Sequence, residues 1–227
     1  MKIIWLGQAG LLLSNGDLTV MIDPYLSHSV EKVNPANFRR APIDERFFAV
    51  APDVMIFTHD HLDHYDPETA PRFLSKGGKA MTVLCPTSVW QKARQHGGGH
   101  NYVEFNRHTE WTERGVRFSA VKAAHSDAYA IGVIIEDLWE HKVYYVTGDT
   151  LYHKEIFEDL PEKIDVVFLP VNGVGNNMNA TDAARFAERT GAKVAVPLHV
   201  GMFDELSPEI FEAANRLILE MYQEREV

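Results

Sequence analysis

The stretch Thr58–Asp66 places the strongest constraint on the fold, because it carries three histidines and three aspartates in nine residues. It directly follows the apolar run Val54–Phe57, which is typical of a buried β-strand. So many ionisable side chains beside a buried strand are costly unless something pairs with them, and a metal ion is the most economical partner. The sequence therefore predicts a buried strand that ends at a metal site.

The order of residues within this stretch suggests positions for two ions. His59 and His61 have the i, i+2 spacing that puts both side chains on one side of an extended chain. Asp63 and His64 follow where the chain turns toward a helix, so they can aim at a second, nearby point. Imidazole and carboxylate ligands suit zinc, manganese or iron, and the absence of a cysteine here disfavours a purely structural zinc site. The alternative is a polar loop whose histidines form only local hydrogen bonds.

The same pattern of an apolar run followed by a ligand-type residue occurs three more times. His125 follows "FSAVKAA", Asp149 follows "KVYYVTG" and His199 follows "VAVPL". A single histidine after a strand is more often an ordinary surface or capping residue. Together with the first motif, the three residues predict further ligands gathered at the ends of several strands.

The periodicity of the whole chain predicts two blocks of mostly antiparallel strands, each continuing into strand–helix units. Asn15-Gly16 between two apolar runs is a strong hairpin signal, and residues 24–52 are expected to be mostly loop. Helices are expected at residues 67–74, 87–95, 152–160, 181–191 and 207–224, with Thr181 as a cap and Gly191 as a stop. Two sheets facing each other with helices outside make a four-layer αβ/βα sandwich, and we expect one domain over residues 1–227.

Composition limits the classes of partner. The formal net charge of −10, with no basic block longer than Arg39-Arg40, argues against nucleic-acid binding, and no apolar run is long enough to cross a membrane. Cys85 is the only cysteine, which fits a reduced, cytoplasmic location. Arg39 and Arg40 are expected to be a solvated surface pair, although they could hold an anion. The apolar C-terminal segment leaves a homo-oligomer open.

The motifs "HDHLDH", "GDT" and "PLH", with His125 between the first two, resemble the metallo-β-lactamase superfamily, whose fold is the αβ/βα sandwich. The resemblance implies that His59, His61 and His125 bind one metal ion and that Asp63, His64 and His199 bind a second. It also implies that Asp149 bridges the two ions. A narrower resemblance, in "WLGQAGLLL", "IDPYL", "PVNGVGNNMNATDAA" and "PLHVGMFD", is to the L-ascorbate-6-phosphate lactonase group.

The activity expected from this resemblance is hydrolysis of a small polar ester or lactone, including a phosphorylated sugar lactone, by a metal-bridged hydroxide. Asp63 and Asp149 are the candidate catalytic proton acceptors. The Asn-rich loop predicts substrate contacts from Asn172, Asn177 and Asn179, against the alternative of a simple turn. Competing functions are a phosphodiesterase acting on cyclic nucleotides or RNA ends, a non-catalytic metal-binding module and a redox iron protein.

Overall fold

The structure is a computed structural model that describes residues 1–75 and 77–227. The chain divides into two compact units. The first unit consists of residues 1–105, 202–204 and 219–227, and the second of residues 106–201 and 205–218. Each unit has its own β-sheet and its own buried core. The expectation of one domain over residues 1–227 stays a prediction.

The strands of the first unit are β1 (Lys2–Gly7), β2 (Gly10–Ser14), β3 (Thr19–Ile22), β4 (Val54–Ile56), β5 (Thr82–Cys85), β6 (Asn101–Glu104) and β13 (Glu224–Glu226). The described residues form one sheet with the order β13-β1-β2-β3-β4-β5-β6. The pairs from β3 to β6 are parallel, and the remaining pairs are antiparallel. β4 is buried at every position, as its uninterrupted apolar sequence predicts.

The predicted Asn-Gly hairpin is confirmed between β2 and β3. Ser14 lies opposite Thr19, and the Asn15 side chain accepts hydrogen bonds from the backbone N–H groups of Asp17 and Leu18. Gly16 has a φ of +94°, a conformation that L side chains rarely adopt. The turn therefore needs glycine at this position.

The helices of the first unit are α1 (Ser29–Val33), α2 (Thr69–Leu74) and α3 (Thr87–Ala93). Residues 24–52, expected to be mostly loop, contain α1 and a 3-10 turn at Glu45–Ala49. The expectation that Arg39 is solvated is wrong. Its guanidinium is buried and donates to the carbonyls of Tyr25 and Ala41 and to the hydroxyl of Tyr222, so it ties the long loop to the rest of this unit.

The strands of the second unit are β7 (Glu110–Glu113), β8 (Val116–Lys122), β9 (Ile131–Asp137), β10 (Lys142–Val146), β11 (Val166–Pro170) and β12 (Val194–Leu198). The described sheet has the order β12-β11-β10-β9-β8-β7. β7 to β10 pair antiparallel, whereas β10, β11 and β12 are parallel. The expected change from antiparallel strands to strand–helix units is confirmed here.

Helix α4 (Ala180–Thr190) covers the core of the second unit with one apolar face. Ala183, Phe186 and Ala187 are fully buried in the core cluster that also contains β11 residues. The N-cap is Asn179, whose side chain accepts from the backbone N–H of Asp182, and not Thr181 as expected. The predicted stop at Gly191 is confirmed, since this residue is left-handed with a φ of +66°.

The prediction of a helix at residues 207–224 is wrong. The structure has a 3-10 turn at Pro208–Ile210 and then mostly irregular chain, in which short turns alternate with backbone bonds to the two sheets. In the second unit Ala195 of β12 donates to Asn215 and accepts from Leu217, and in the first unit Tyr222 donates to Trp5 of β1. The expected helix at 152–160 is only a 3-10 turn at Lys154–Glu158.

Polar residues follow the carboxyl ends of strands in both units. Asp23 follows β3 and Thr58 follows β4, whereas Asn172 and His199 follow β11 and β12. This is the sheet edge at which α/β proteins commonly bind ligands. No helix within residues 1–75 and 77–227 is both long and apolar enough to span a membrane.

A buried carboxylate, Asp159, ties the end of β8 to the neighbouring chain in the second unit. It accepts two hydrogen bonds from Arg107, at 2.7 and 2.8 Å, and one from the backbone N–H of Lys122, at 2.8 Å. Burial alone would raise the pKa of Asp159, but these donors together with His108 hold it down at about 2.

We predict that Asp159→Asn lowers the free energy of unfolding at pH 7 by about 1–2 kcal/mol, allowing for solvent screening at Arg107. Because the folded pKa is depressed, this contribution is present above the ordinary carboxyl pKa and is lost as the pH falls toward about 2. Urea unfolding of wild type and variant between pH 7 and pH 3 measures it. The exposed control Glu162→Gln should show no such convergence, and a constant difference across the pH range would contradict the prediction.

Candidate metal centre

Four predicted ligands lie together in the first unit, directly after β4. His59 and His64 are fully buried, whereas His61 and Asp63 are partly exposed. The imidazole centroid of His59 is 4.6 Å from that of His61 and 3.9 Å from that of His64. Ligand atoms of His59 and His61, and likewise of Asp63 and His64, lie within 4.8 Å of each other. The structure therefore brings this half of the predicted ligand set together.

Asp23 and Thr58 determine how two of these histidines face. The Nδ1 of His64 is 2.7 Å from Asp23 Oδ2, and the backbone N–H of Thr58 donates to Asp23 Oδ1 at 2.8 Å. The Thr58 hydroxyl also donates to Asp23 Oδ2, and it lies 3.1 Å from the Nδ1 of His59. A carboxylate only accepts and this hydroxyl has already donated, so both imidazoles carry their proton on Nδ1. Their Nε2 atoms then bear the lone pair that coordinates a metal.

Gln8 holds the fourth ligand of this unit. Its Nε2 donates to Asp63 Oδ2 at 2.8 Å, and its backbone carbonyl accepts from the Trp5 indole at 2.9 Å. Gln8 lies in the turn between β1 and β2 and is 2% exposed. Sequence reasoning did not assign Gln8 or Asp23 to the site, although both lie in the motifs "WLGQAG" and "IDPYL".

The second unit contains the other three predicted ligands. Asp149 and His199 are buried, and the Nε2 of His199 is 3.1 Å from Asp149 Oδ2. His125 is partly exposed, and its Nδ1 is 3.3 Å from the backbone carbonyl of Asn176. Thr150 accepts from the backbone N–H of Ala124 at 2.8 Å, so the residue after Asp149 fixes the chain just before His125.

The three asparagines predicted to contact substrate each have a partner within this unit. Asn177 Nδ2 donates to Asp149 Oδ2 at 2.8 Å, and Asn172 Nδ2 lies 3.1 Å from His199 Nδ1. Asn179 caps α4. Their assignment to substrate stays a prediction.

Four residues at or beside the candidate ligands have a left-handed backbone, as do His108, Arg114, His141 and Tyr222 elsewhere in the chain. Gln8 and Asp23 in the first unit have φ values of +51° and +42°, and Asn176 and His199 in the second have +64° and +57°. Non-glycine residues seldom adopt such values, which cost about 1–3 kcal/mol each and cluster at functional sites. The surrounding sheets therefore hold these residues in conformations that the local chain disfavours.

The donor chemistry of both units fits divalent metal ions. The candidate ligands are imidazole nitrogens and carboxylate oxygens, which suit zinc, manganese and iron. In the first unit, the Nδ1 atoms of His59 and His64 are directed to acceptors inside the protein, as is usual for metal-binding histidines. The candidate ligands of both units therefore fit the divalent metal ions that the sequence predicts.

Comparison with known proteins gives the family. Residues 19–200 match the family model described as beta-lactamase superfamily domain. The chain belongs to the metallo-β-lactamase superfamily. A UPF0173 metal-dependent hydrolase of Korarchaeum cryptofilum is 30% identical over 220 residues, covering 95% of this chain and 90% of the relative. One from Methanopyrus kandleri is 27% identical over 227 residues, with 93% and 90% covered.

Solved structures confirm the predicted metallo-β-lactamase fold. An isothiocyanate hydrolase from Delia radicum gut bacteria has a TM-score of 0.76 and 19% identity, with 100% of this chain and 99% of that chain covered. The metallo hydrolase Igni18 of Ignicoccus hospitalis has a TM-score of 0.73 and 19% identity, with 100% and 98% covered. At these identities the likeness shows the fold alone. Through its family, the chain is a metal-dependent hydrolase.

We predict that Asp23→Asn weakens metal binding by about 10- to 100-fold. Asparagine tolerates the left-handed backbone at this position, but it offers one accepting oxygen where the carboxylate offers two, so a Thr58 or His64 donor loses its acceptor. Competition with a chromophoric chelator for Zn²⁺ measures the affinity. Asp17→Asn, in an exposed turn of the same unit, is the matched control. Equal affinity of the Asp23 variant and wild type would contradict the prediction.

Proposed function

We propose that the two ligand sets serve one dinuclear metal centre that hydrolyses a small polar ester or lactone. His59, His61 and His125 would hold one ion, Asp63, His64 and His199 the other, and Asp149 would bridge them. The observation that carries the proposal is the Asp23–Thr58 network, because it orients two ligand histidines for coordination through Nε2. Membership of a family of metal-dependent hydrolases supports it.

Two divalent ions, zinc or manganese with iron as a further option, would supply an activated water near neutral pH and polarise the scissile group. The residues of the chain would perform the remaining work. Either Asp63 or Asp149 would accept the proton of the attacking water and return it to the leaving oxygen.

The two candidate catalytic aspartates have a common arrangement. In the first unit Gln8 donates an amide N–H to Oδ2 of Asp63, and in the second Asn177 donates one to Oδ2 of Asp149, both at 2.8 Å. An amide bound to one oxygen restricts rotation of the carboxylate and determines which oxygen is presented for proton transfer. This restriction fits the proposed role of both aspartates in proton transfer.

The substrate class rests on the resemblance to the L-ascorbate-6-phosphate lactonase group, so a phosphorylated sugar lactone is the first compound to test. The net charge of −10 and the absence of any basic run longer than two residues favour a small molecule over a nucleic acid. A cytoplasmic location belongs to the same proposal, as does the possibility of a homo-oligomer.

The proposal predicts about two metal ions per chain in wild type and no more than about one in Asp149→Ala, which removes the bridging ligand. Metal content by mass spectrometry, on protein purified without chelator or histidine tag, measures this. Asp17→Ala is the control for loss of a carboxylate away from the site. One ion or none in wild type, even after incubation with excess manganese and zinc, would leave the binding module as the better function.

We also predict metal-dependent turnover of lactones that falls at least about 100-fold in Asp63→Ala, because a positioned proton acceptor contributes 10²–10⁴-fold. The screen should contain sugar lactones with and without phosphate, phosphodiesters, an isothiocyanate, an anilide and a β-lactam. Turnover of the phosphodiesters alone would favour the competing phosphodiesterase. Turnover of the anilide or β-lactam without any lactone or phosphodiester would contradict the proposed substrate class.

A further inference from the structure

The loop Asn172–Asn179 contacts every candidate metal ligand of the second unit. We propose that it is a positioning loop, whose asparagines orient Asp149 and His199 and whose backbone orients His125. The inference rests on the proposed metal centre and assigns Asn172 and Asn177 to the ligands and not to the substrate. It is carried by three separate contacts, made through three different kinds of group.

The first contact is a side-chain amide on a carboxylate. Asn177 is 4% exposed, and its Nδ2 donates to Asp149 Oδ2 at 2.8 Å. The carboxylate only accepts, so the amide must present its nitrogen here, and the reverse orientation would set two oxygens against each other. The Asn177 Oδ1 has no hydrogen-bond partner among the described residues, so the bond to Asp149 is the contact that this buried amide makes.

The second contact is an amide on an imidazole. Asn172 Nδ2 lies 3.1 Å from the Nδ1 of His199, whose Nε2 is 3.1 Å from Asp149 Oδ2. In this arrangement Nδ1 accepts and Nε2 carries the proton. Coordination through Nε2 needs the other tautomer, with the proton on Nδ1, and Asn172 can accept that proton once its amide turns to present Oδ1. At position 172 the metal-binding state therefore needs an acceptor.

The third contact uses the backbone. The carbonyl of Asn176 lies 3.3 Å from the Nδ1 of His125, and a carbonyl only accepts, so this bond places the His125 proton on Nδ1. Asn176 is left-handed, with a φ of +64°, while its side chain points into an exposed position. The left-handed turn aims the carbonyl at His125, and the asparagine side chain itself is not needed for the contact.

The loop is held firmly at both ends. Asn172 and Asn179 pair as an isolated antiparallel bridge, and the backbone N–H of Met178 donates to the carbonyl of Thr150, next to Asp149. A Cβ on Gly173 would lie 3.0 Å from the Asn179 side chain, and the φ of Gly173 is +69°, so a larger residue here would strain the loop. These ties give the loop the rigidity that a positioning role requires.

The test uses one isosteric change, Asn→Asp, at two positions of this loop and at one exposed position outside it, with Co²⁺ as the probe. Asn177→Asp removes the donor to Asp149 and should weaken Co²⁺ binding by about 10- to 100-fold. Asn172→Asp keeps an acceptor for the Nδ1 proton of His199 and should bind within about threefold of wild type, whereas Asn172→Leu should lose about 10-fold or more. Asn101→Asp, at an exposed position of the first unit, is the charge-matched control and should bind like wild type.

Affinity comes from calorimetric titration, and the visible Co²⁺ spectrum, which a purely structural role would leave unchanged, should be altered in Asn177→Asp. Thermal unfolding without metal shows whether each variant folds. If Asn177→Asp does not fold, Asn177→Ser takes its place, because serine is too short to reach Asp149 and the same loss of Co²⁺ affinity is expected. Wild-type affinity in the folded Asn177 variants, or equal losses in Asn177→Asp and Asn101→Asp, would overturn the inference alone. Failure of wild type itself to bind Co²⁺ would overturn the proposed function and the inference with it.

Discussion

The hydrogen bonds that converge on Asp23 are the interaction on which the first half of the candidate site depends. Parallel pairing of β3 with β4 sets Ile22 beside Ile56, and the backbone N–H of Asp23 continues this register by donating to Ile56 at 3.0 Å. The carboxylate therefore arrives where Thr58 and His64 can donate to it. Sheet register thus fixes the tautomers of the ligand histidines, and the strained φ of Asp23 is the conformational cost of that placement.

In the second unit, the candidate ligands are oriented by neutral groups. In the loop after β11, the side-chain amide of Asn172 contacts His199 and a backbone carbonyl contacts His125. A second amide, of Asn177, donates to Asp149. In both units, hydrogen bonds from neighbouring groups orient candidate ligands, and the units differ in the chemistry that supplies these bonds.

The features that the sequence predicted are those that local patterns encode. The apolar run before "THDHLDH", the Asn-Gly hairpin and the Gly191 stop all depend on neighbouring residues, and each appears in the structure as expected. Ligand-type residues at strand ends could be recognised because such ends meet at one edge of a parallel sheet. Gln8 and Asp23 could not be assigned in this way, since their roles come from contacts 55 and 41 residues away along the chain.

The C-terminal segment and the Asn-rich loop both have structures that their local sequence does not determine. Residues 207–224 have helical periodicity, yet pairing with the edges of β12 and β1 satisfies their backbone, and such tertiary contacts outweigh helix propensity. In the loop, asparagine composition indicates a turn or a substrate site equally well, and only the hydrogen-bond partners separate these from ligand positioning. An amide at position 172 can donate to one tautomer of His199 and accept from the other, which neither a carboxylate nor a lysine can do. Asparagine at this position therefore lets one fixed loop satisfy His199 both before and after a metal ion binds.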